Sequence, residues 1–277
     1  MKTTKQEIVY INAAFCPLQE AKIPINDRGF LYGDGVFTSM RVFNGKVLLL
    51  DRHLRRLKEQ CLQLHIIPPE LDQDLILQLI ERNDAFDAIW KMKIIITGGS
   101  GAQLALPSRK SGTVIATIRP CEESKNPVRL ALYPKPIDRP VASLKMLSYL
   151  DRLFIKQDAL ERGYDDGIGT LRDGTLLEAS SSNLFWKVRN HLYTPHPALP
   201  LLSGLGLEYV VENVENLEFV VDYVQCGLGL IPKEACLYLV NSVRGVSAVS
   251  EVEGRKFDRD VEFELWANRL FERIEES

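Results

Sequence analysis

Hydrophobic and polar positions change their period repeatedly along the chain, which predicts a mixture of strands and helices. Residues 7–12 alternate and are rich in β-branched side chains, as in a strand. Residues 38–50 contain Asn44 and Gly45, a pair typical of the tight turn of a β-hairpin. Asp51 can cap a helix after this hairpin, because apolar residues then recur at helical spacing: Leu54, Leu57, Cys61 and Leu64.

The same patterns predict the remaining elements and a division into two domains. Further strands are expected at 91–97, 113–118, 128–133, 167–171 and 184–188, and further helices at 70–82, 149–162, 205–213 and 260–275. One side of the helix at 149–162 carries Leu150, Leu153, Phe154, Gln157 and Leu160. The polar stretch 121–127 predicts a linker between an N-terminal domain, 1–120, and a C-terminal domain, 128–277. Strict βαβ alternation is lacking, which favours a two-domain α+β protein.

Composition and charge exclude several classes of protein. The 277 residues are 45% hydrophobic and 26% charged, an ordinary globular profile. The net charge of −3 supplies no basic field for nucleic acid. The odd number of cysteines, five without a CxxC pair, indicates free thiols in a reducing compartment. The N-terminus lacks the apolar stretch of a signal peptide, and no run is long enough to span a membrane, so we expect a soluble, cytoplasmic protein.

Glycine-rich loops and histidines give little evidence of a ligand on their own. The Gly204-Leu-Gly206 turn precedes a predicted helix, whose N-terminus could bind a phosphate. A dinucleotide fingerprint would need glycine at position 209, which is Tyr209. The four histidines do not have the spacing of metal ligands, so no metal site is expected.

Two residues could take part in catalysis, but the local sequence does not decide whether they do. Lys145 lies in an apolar setting before a helix, where desolvation makes an amine more nucleophilic. Glu178 lies beside a cluster of small hydrogen-bonding residues, Ser180 to Asn183. Taken singly, Lys145 could equally be a surface lysine and Glu178 a helix cap or a solvated acid.

Taken together, several motifs resemble one family. Their order along the chain is DRGFLYGDGVF (27–37), HLRRL (53–57), Lys145 before a helix, LLEASSSNLFW (176–186), LYTP (192–195) and NSVRGV (241–246). This order resembles the fold-type IV pyridoxal-phosphate enzymes of the class IV aminotransferase family, which include branched-chain and D-amino-acid aminotransferases and 4-amino-4-deoxychorismate lyases. The resemblance implies a D-amino-acid aminotransferase-like fold, a homodimer, and an active site at the domain interface with the catalytic lysine in the C-terminal domain.

The resemblance also implies roles for residues that match the motifs. Lys145 resembles the lysine that binds pyridoxal 5'-phosphate covalently and then transfers protons. Glu178 resembles the acid that faces the pyridine nitrogen. The phosphate ligands implied are Arg56, Ser242 and the backbone amides of Leu205 and Gly206, with Ser181 and Asn183 as supporting residues. The turn at 204–207 departs from the family pattern because it lacks a hydroxyl and an arginine. Tyr149 is a candidate partner for the phenolic oxygen of the cofactor.

Three local features resemble the lyases more than the aminotransferases. Thr38 and Ser39 follow GDGVF, where aminotransferases usually carry a glutamate. The runs NLFW and NSVR also resemble lyase motifs. We therefore expect the conversion of 4-amino-4-deoxychorismate to 4-aminobenzoate and pyruvate, a step of folate precursor synthesis. The alternative is an aminotransferase for branched-chain or D-amino acids with a 2-keto acid acceptor. Candidate substrate-binding residues are Tyr32, Phe37, Arg41, Lys93 and Arg244.

Overall fold

The computed structural model describes residues 6–106, 109–110, 112–121, 126–138, 141–215 and 217–273. These residues form two compact units. The first comprises the described residues up to 121 together with Leu144–Tyr149, and the second comprises those of 126–143 and 150–273. Most of the predicted linker, residues 122–125, lies outside the described part. Lys145, expected in the C-terminal domain, lies in a segment that belongs to the first unit, because that segment pairs with a strand there.

The first unit is built on an antiparallel sheet covered by helices on one face. Its strands are β1 (Ile8–Ile11), β2 (Ala14–Pro17), β3 (Gly35–Phe43), β4 (Lys46–Val47), β5 (Ile66–Ile67), β6 (Ile89–Thr97), β7 (Arg109–Lys110) and β8 (Val114–Pro120). Its helices are α1 (Arg28–Tyr32), α2 (Leu50–Gln63) and α3 (Gln73–Asn83). The main sheet has the order β2-β1-β8-β6-β3-β4, and β5 pairs with β7 separately.

Strand alternation divides the β3–β6 pair into two faces. The two strands pair along their whole length, from Gly35 opposite Thr97 to Phe43 opposite Ile89. One face buries its side chains in a core with α2 and α3, and includes Val36, Met40, Val42, Met92, Ile94 and Ile96. Because successive side chains of a strand point to opposite faces, Phe37 and Lys93 lie on the other face.

The predicted hairpin at Asn44 and Gly45 is present, but two neighbouring expectations differ from the structure. Both turn residues have positive φ, as this turn requires. The N-cap position of α2 is Leu49, with a φ of +55°, and not Asp51, which lies within the first turn of the helix. There its negative charge is favourable to the helix dipole. The sequence also missed β2, which pairs with β1 across a turn at Asn12 and Ala13.

The second unit is a mixed sheet with three helices. Its strands are β9 (Val128–Leu132), β10 (Asp166–Thr170), β11 (Leu176–Ala179), β12 (Asn183–Val188), β13 (His191–Pro195), β14 (Val220–Val224), β15 (Cys236–Asn241), β16 (Gly245–Val252) and β17 (Arg255–Lys256). Its helices are α4 (Leu150–Glu161), α5 (Leu205–Glu215) and α6 (Val261–Leu270). The sheet order is β11-β10-β9-β16-β15-β12-β13-β14, with β17 beside β16. Parallel and antiparallel pairs coexist, and the two-unit α+β expectation is confirmed.

Helix α4 buries a different side from the one that its apolar residues suggest. Its buried residues are Arg152, Ile155 and Ala159, at positions i, i+3 and i+7. Leu150, Leu153, Phe154 and Leu160 are exposed, Phe154 by 54%. The number of apolar residues on a side therefore does not identify the buried face of α4.

Among the described residues, none of the helices is both long enough and apolar enough to cross a membrane.

A buried carboxylate joins the start of α1 to β6 and β8. Asp27 Oδ1 accepts a hydrogen bond from Gly29 N at 2.7 Å. Its Oδ2 accepts from Thr97 Oγ1 and Thr113 Oγ1, each at 2.7 Å. Asp27 is only 1% exposed, so water cannot replace these bonds easily. This carboxylate fixes the loop that leads from α1 into β3.

Replacing Asp27 by alanine should destabilise the protein strongly. We expect Asp27→Ala to lower the free energy of unfolding by about 2–4 kcal/mol, because each buried donor left without an acceptor costs about 1–3 kcal/mol. The exposed Asp87 is the matched control, and Asp87→Ala should change stability by less than about 0.5 kcal/mol. Urea unfolding of both variants measures the difference. Equal stabilities would show that Asp27 does not anchor the loop.

Candidate active site

Lys145 is held by backbone pairing with the first residues of β3. Phe37 N donates to Lys145 O at 2.9 Å, and Leu147 N donates to Gly35 O at 3.0 Å. Lys145 N in turn donates to Gln60 Oε1 of α2 at 3.2 Å. The lysine is half-buried, and its Nζ lies 4.9 Å from the centroid of the Phe37 ring. The amine is thus fixed through its main chain and placed against an aromatic face.

A second amine lies on the same aromatic ring. Lys93 Nζ is 4.3 Å from the centroid of Phe37, and the ring of Tyr149 packs edge-on at 5.4 Å. Burial lowers the pKa of Lys93 below its usual value, and the neighbouring Lys91 charge lowers it further. We call this group the two-lysine cluster; it consists of Phe37, Lys93, Lys145 and Tyr149. The cluster unites residues that the sequence singled out for different roles.

The other predicted substrate ligands have different contacts. The guanidinium of Arg41 is buried and lies 5.8 Å from the Phe43 ring centroid. The Tyr32 hydroxyl donates to Ala102 O at 3.0 Å. Arg244 belongs to the second unit, where its backbone N donates to Asn241 Oδ1 at 2.8 Å and its side chain is exposed. Of the five candidates, Phe37 and Lys93 belong to the two-lysine cluster, and Arg41 lies on the same face of β3 as Phe37.

Arg56 is linked to a buried histidine through a threonine hydroxyl. Arg56 Nη2 lies 3.5 Å from Thr38 Oγ1, and this hydroxyl lies 2.7 Å from His53 Nδ1. His53 is fully buried, and its Nε2 makes no hydrogen bond within the described part of the chain. Burial first, and then the charges of Arg56 and Lys145, lower the pKa of His53 to about 3. The imidazole is therefore neutral at neutral pH.

In the second unit, Glu178 is surrounded by hydrogen-bond donors. Its Oε1 accepts from Arg152 Nη2 and from Leu202 N, the latter at 3.0 Å. Its Oε2 accepts from Asn183 Nδ2 at 3.3 Å. Glu178 is 5% exposed, so the carboxylate is an organised buried anion and not a solvated acid. Arg152 was not among the residues predicted from the sequence.

The start of α5 lies tightly against the turn that follows β15. A Cβ built on Gly206 would lie 2.8 Å from Ser242 N and from Asn241 C, which no real side chain tolerates. Asn241 organises this turn, because its Oδ1 accepts from Val243 N at 3.0 Å and its Nδ2 donates to Ser182 Oγ at 2.9 Å. The first N–H groups of a helix lack partners within it, so Leu205 and Gly206 can present amides to an anion beside the Ser242 hydroxyl.

Taken separately, the residue sets of the two units offer groups that suit pyridoxal 5'-phosphate. A helix N-terminus and a serine suit its phosphate, a buried carboxylate suits its protonated ring nitrogen, and a lysine amine suits its aldehyde. Ser181, expected to support the site, is exposed, whereas Asn183 contacts Glu178 directly. Among the described residues, no cluster of His, Cys, Asp and Glu could hold a metal ion.

Comparisons with known proteins point in one direction at the level of family. The model of the family described as amino-transferase class IV matches residues 35–252. An aminodeoxychorismate lyase of Bacillus subtilis is 25% identical over 256 residues, covering 89% of this chain and 87% of that protein. A D-alanine aminotransferase of Bacillus licheniformis is 27% identical over 217 residues, 75% of each chain. The PLP-bound form of a hypothetical aminotransferase from Mycobacterium tuberculosis has a TM-score of 0.82 at 21% identity, covering 96% of this chain and 97% of that one.

The buried neutral state of His53 should make stability depend on acid pH. The pKa of this histidine falls from its ordinary 6.5 to about 3 in the fold, so between these values the unfolded chain binds a proton that the folded protein does not. Stability is therefore lost as pH falls from about 6.5 to 3, by about 1.4 kcal/mol per pH unit for this group. His53→Gln should remove this contribution from the slope of the free energy of unfolding against pH, as measured by urea unfolding of the cofactor-free protein.

The exposed His65 provides the control for this measurement. His65→Asn should leave the slope between pH 3 and 6.5 as in the wild type, since asparagine tolerates the positive φ at this position. Parallel curves for His53→Gln and the wild type would contradict the assignment of a neutral buried imidazole.

Proposed function

Because this chain belongs to the class IV aminotransferase family, we propose that it is a lyase that converts 4-amino-4-deoxychorismate to 4-aminobenzoate and pyruvate. The observation that carries this proposal is the two-lysine cluster, in which Lys93 lies half-buried on the same ring as Lys145. A substrate with two carboxylates uses such a second cation, whereas a branched aliphatic side chain requires an apolar wall. We propose that the protein acts in the cytoplasm as a homodimer.

Pyridoxal 5'-phosphate is the cofactor of this chain, and when bound it supplies an electron sink for a carbanion on the substrate. We assign Lys145 as its covalent attachment site and Glu178 as the partner of its ring nitrogen. Arg56, Ser242 and the amides of Leu205 and Gly206 are assigned to its phosphate, a group for which guanidinium and helix N-termini are suited. Asn183 supports Glu178 through its amide.

Lys145 is assigned the proton transfers. Once the substrate amine has displaced it, Nζ removes the proton from the amine-bearing ring carbon. The C–O bond to the enolpyruvyl group then breaks, and its electron pair stays on the departing oxygen. A proton delivered to the methylene carbon of this group yields pyruvate. The six-membered ring becomes aromatic, so 4-aminobenzoate forms without any oxidant.

The uncharged side chain at position 38 supports the lyase assignment. Where aminotransferases of the family usually carry glutamate, this chain carries a buried hydroxyl between His53 and Arg56. Thr38 carries no negative charge, so position 38 itself supplies no counter-ion to the Arg56 guanidinium. An acidic side chain there would form an ion pair with Arg56.

An aminotransferase is the second candidate, favoured by the match to D-alanine aminotransferase. It would share the removal of a proton by Lys145 but would also need a 2-keto acid to accept the amino group. The two candidates therefore differ in whether a keto acid is required.

Purified protein should release pyruvate and 4-aminobenzoate in equal amounts from 4-amino-4-deoxychorismate when no keto acid is present. A lactate dehydrogenase assay measures pyruvate, and chromatography measures 4-aminobenzoate. Lys145→Ala should give neither product, since attachment and proton transfer are lost together. If product instead appears only after addition of a 2-keto acid, with formation of the matching amino acid, the protein is an aminotransferase.

Lys93→Met should impair substrate binding in particular. We expect KM for 4-amino-4-deoxychorismate to rise about tenfold or more with a smaller change in kcat, because a charge-assisted hydrogen bond contributes about 1.5–3 kcal/mol. The exposed Lys91 on the same strand is the control, and Lys91→Met should leave KM within about threefold of the wild type. Equal effects of the two substitutions would show that Lys93 acts only through the general field of positive charge.

A further inference from the structure

Arg152 is a buried cation that connects helix α4 to strand β11. It is 7% exposed, and its Nη2 donates to Glu178 Oε1. Its Nη1 donates to the carbonyl oxygens of Ala179 and Ser180 at 3.3 and 3.5 Å. The guanidinium therefore binds the side chain of Glu178 and the backbone that immediately follows it. A planar group with this many contacts fixes the direction of the carboxylate.

The hydrogen bonds of Glu178 are distributed unevenly between its two oxygens. A carboxylate oxygen accepts about two hydrogen bonds. Oε1 accepts two hydrogen bonds, from Arg152 Nη2 and from Leu202 N, and so has no room for a third. Within the described residues, Oε2 receives only Asn183 Nδ2, at 3.3 Å, and keeps room for another donor. Asn183 is itself fixed, because its Nδ2 also donates to Leu202 O at 2.8 Å.

We propose that Arg152 is a positioning residue that turns Glu178 so that Oε2 accepts the N–H of the cofactor's pyridine ring. The inference rests on the proposed role of Glu178 and extends it to a residue on another element. Arg152 holds Oε1 and leaves Oε2 as the acceptor.

The proposal predicts an effect on the ring nitrogen and not on cofactor binding in general. The probes are pyridoxal 5'-phosphate and its analogue in which a C–H group replaces the ring nitrogen. Both keep the aldehyde and the phosphate, and only the first can donate to Glu178. The wild-type apoprotein should bind the natural cofactor about tenfold to a hundredfold more tightly than the analogue, as expected for one charge-assisted hydrogen bond.

Arg152→Met should reduce this preference to within about threefold of unity while the affinity for the analogue changes little. Glu178→Gln should reduce the preference in the same way. Arg162→Met is the control, because Arg162 lies just beyond α4 and forms an exposed ion pair with Glu253. It should keep the wild-type preference. Arg152→Lys, which retains the charge but cannot make the same set of contacts, should give an intermediate preference and can be measured if the methionine variant does not fold.

The outcomes separate failure of this inference from failure of the assignment on which it rests. An unchanged preference in Glu178→Gln would remove Glu178 as the ring partner, and with it the role of Arg152. Loss in Glu178→Gln but a wild-type preference in the Arg152 variants would overturn the role of Arg152 alone. Equal weakening of both ligands in the Arg152 variants would assign Arg152 a purely structural role. None of these affinities depends on whether the enzyme is a lyase or an aminotransferase.

Discussion

The backbone pairing between β3 and the segment Leu144–Tyr149 is the constraint on which the candidate site in the first unit depends. Hydrogen bonds on both sides of Val36 and Met146 fix the main chain of Lys145 at the start of the strand. A long flexible side chain is positioned best when its stem starts from a regular element. Gly33, with φ +66°, allows the turn before the strand to approach this segment, since a Cβ there would meet Ser148 Oγ at 2.3 Å.

Strand alternation then lets two consecutive residues serve two different purposes. Phe37 carries the amines of Lys93 and Lys145 on its ring, whereas Thr38 points to the opposite face, toward α2. On that side Thr38 meets His53 and Arg56, which lie three residues apart on one face of the helix. A shift of one residue in the register of β3 would exchange these environments and place a hydroxyl between the amines.

The sequence could predict the elements with local signals and the residues within motifs, but not contacts between distant elements. Asn44 and Gly45 encode their turn locally, and Lys145, Arg56 and Glu178 stand in recognisable motifs. The partnership of Arg152 with Glu178 spans 26 positions and two elements, so no local pattern contains it. The burial of Arg152 also departs from the rule that apolar residues mark the inner face of a helix, because the more apolar side of α4 is the exposed one. The signal that the sequence does contain is Arg152, a charged residue at helical spacing from the buried Ile155 and Ala159.

The two units differ in how the charges of their candidate residues are balanced. In the first unit, Arg56 and Lys145 lie near His53, a histidine that is neutral because its burial and these two cations lower its pKa to about 3. Like charges held together destabilise a fold unless an anion joins them. In the second unit, Glu178 is already paired with Arg152, so it can accept a further donor without remaining an uncompensated buried charge. An anionic group bound in the first unit would offset the like charges there, and a protonated nitrogen bound in the second would add a donor to Glu178. A ligand that binds the folded chain and not the unfolded one stabilises it by an amount that grows with the logarithm of its concentration relative to Kd.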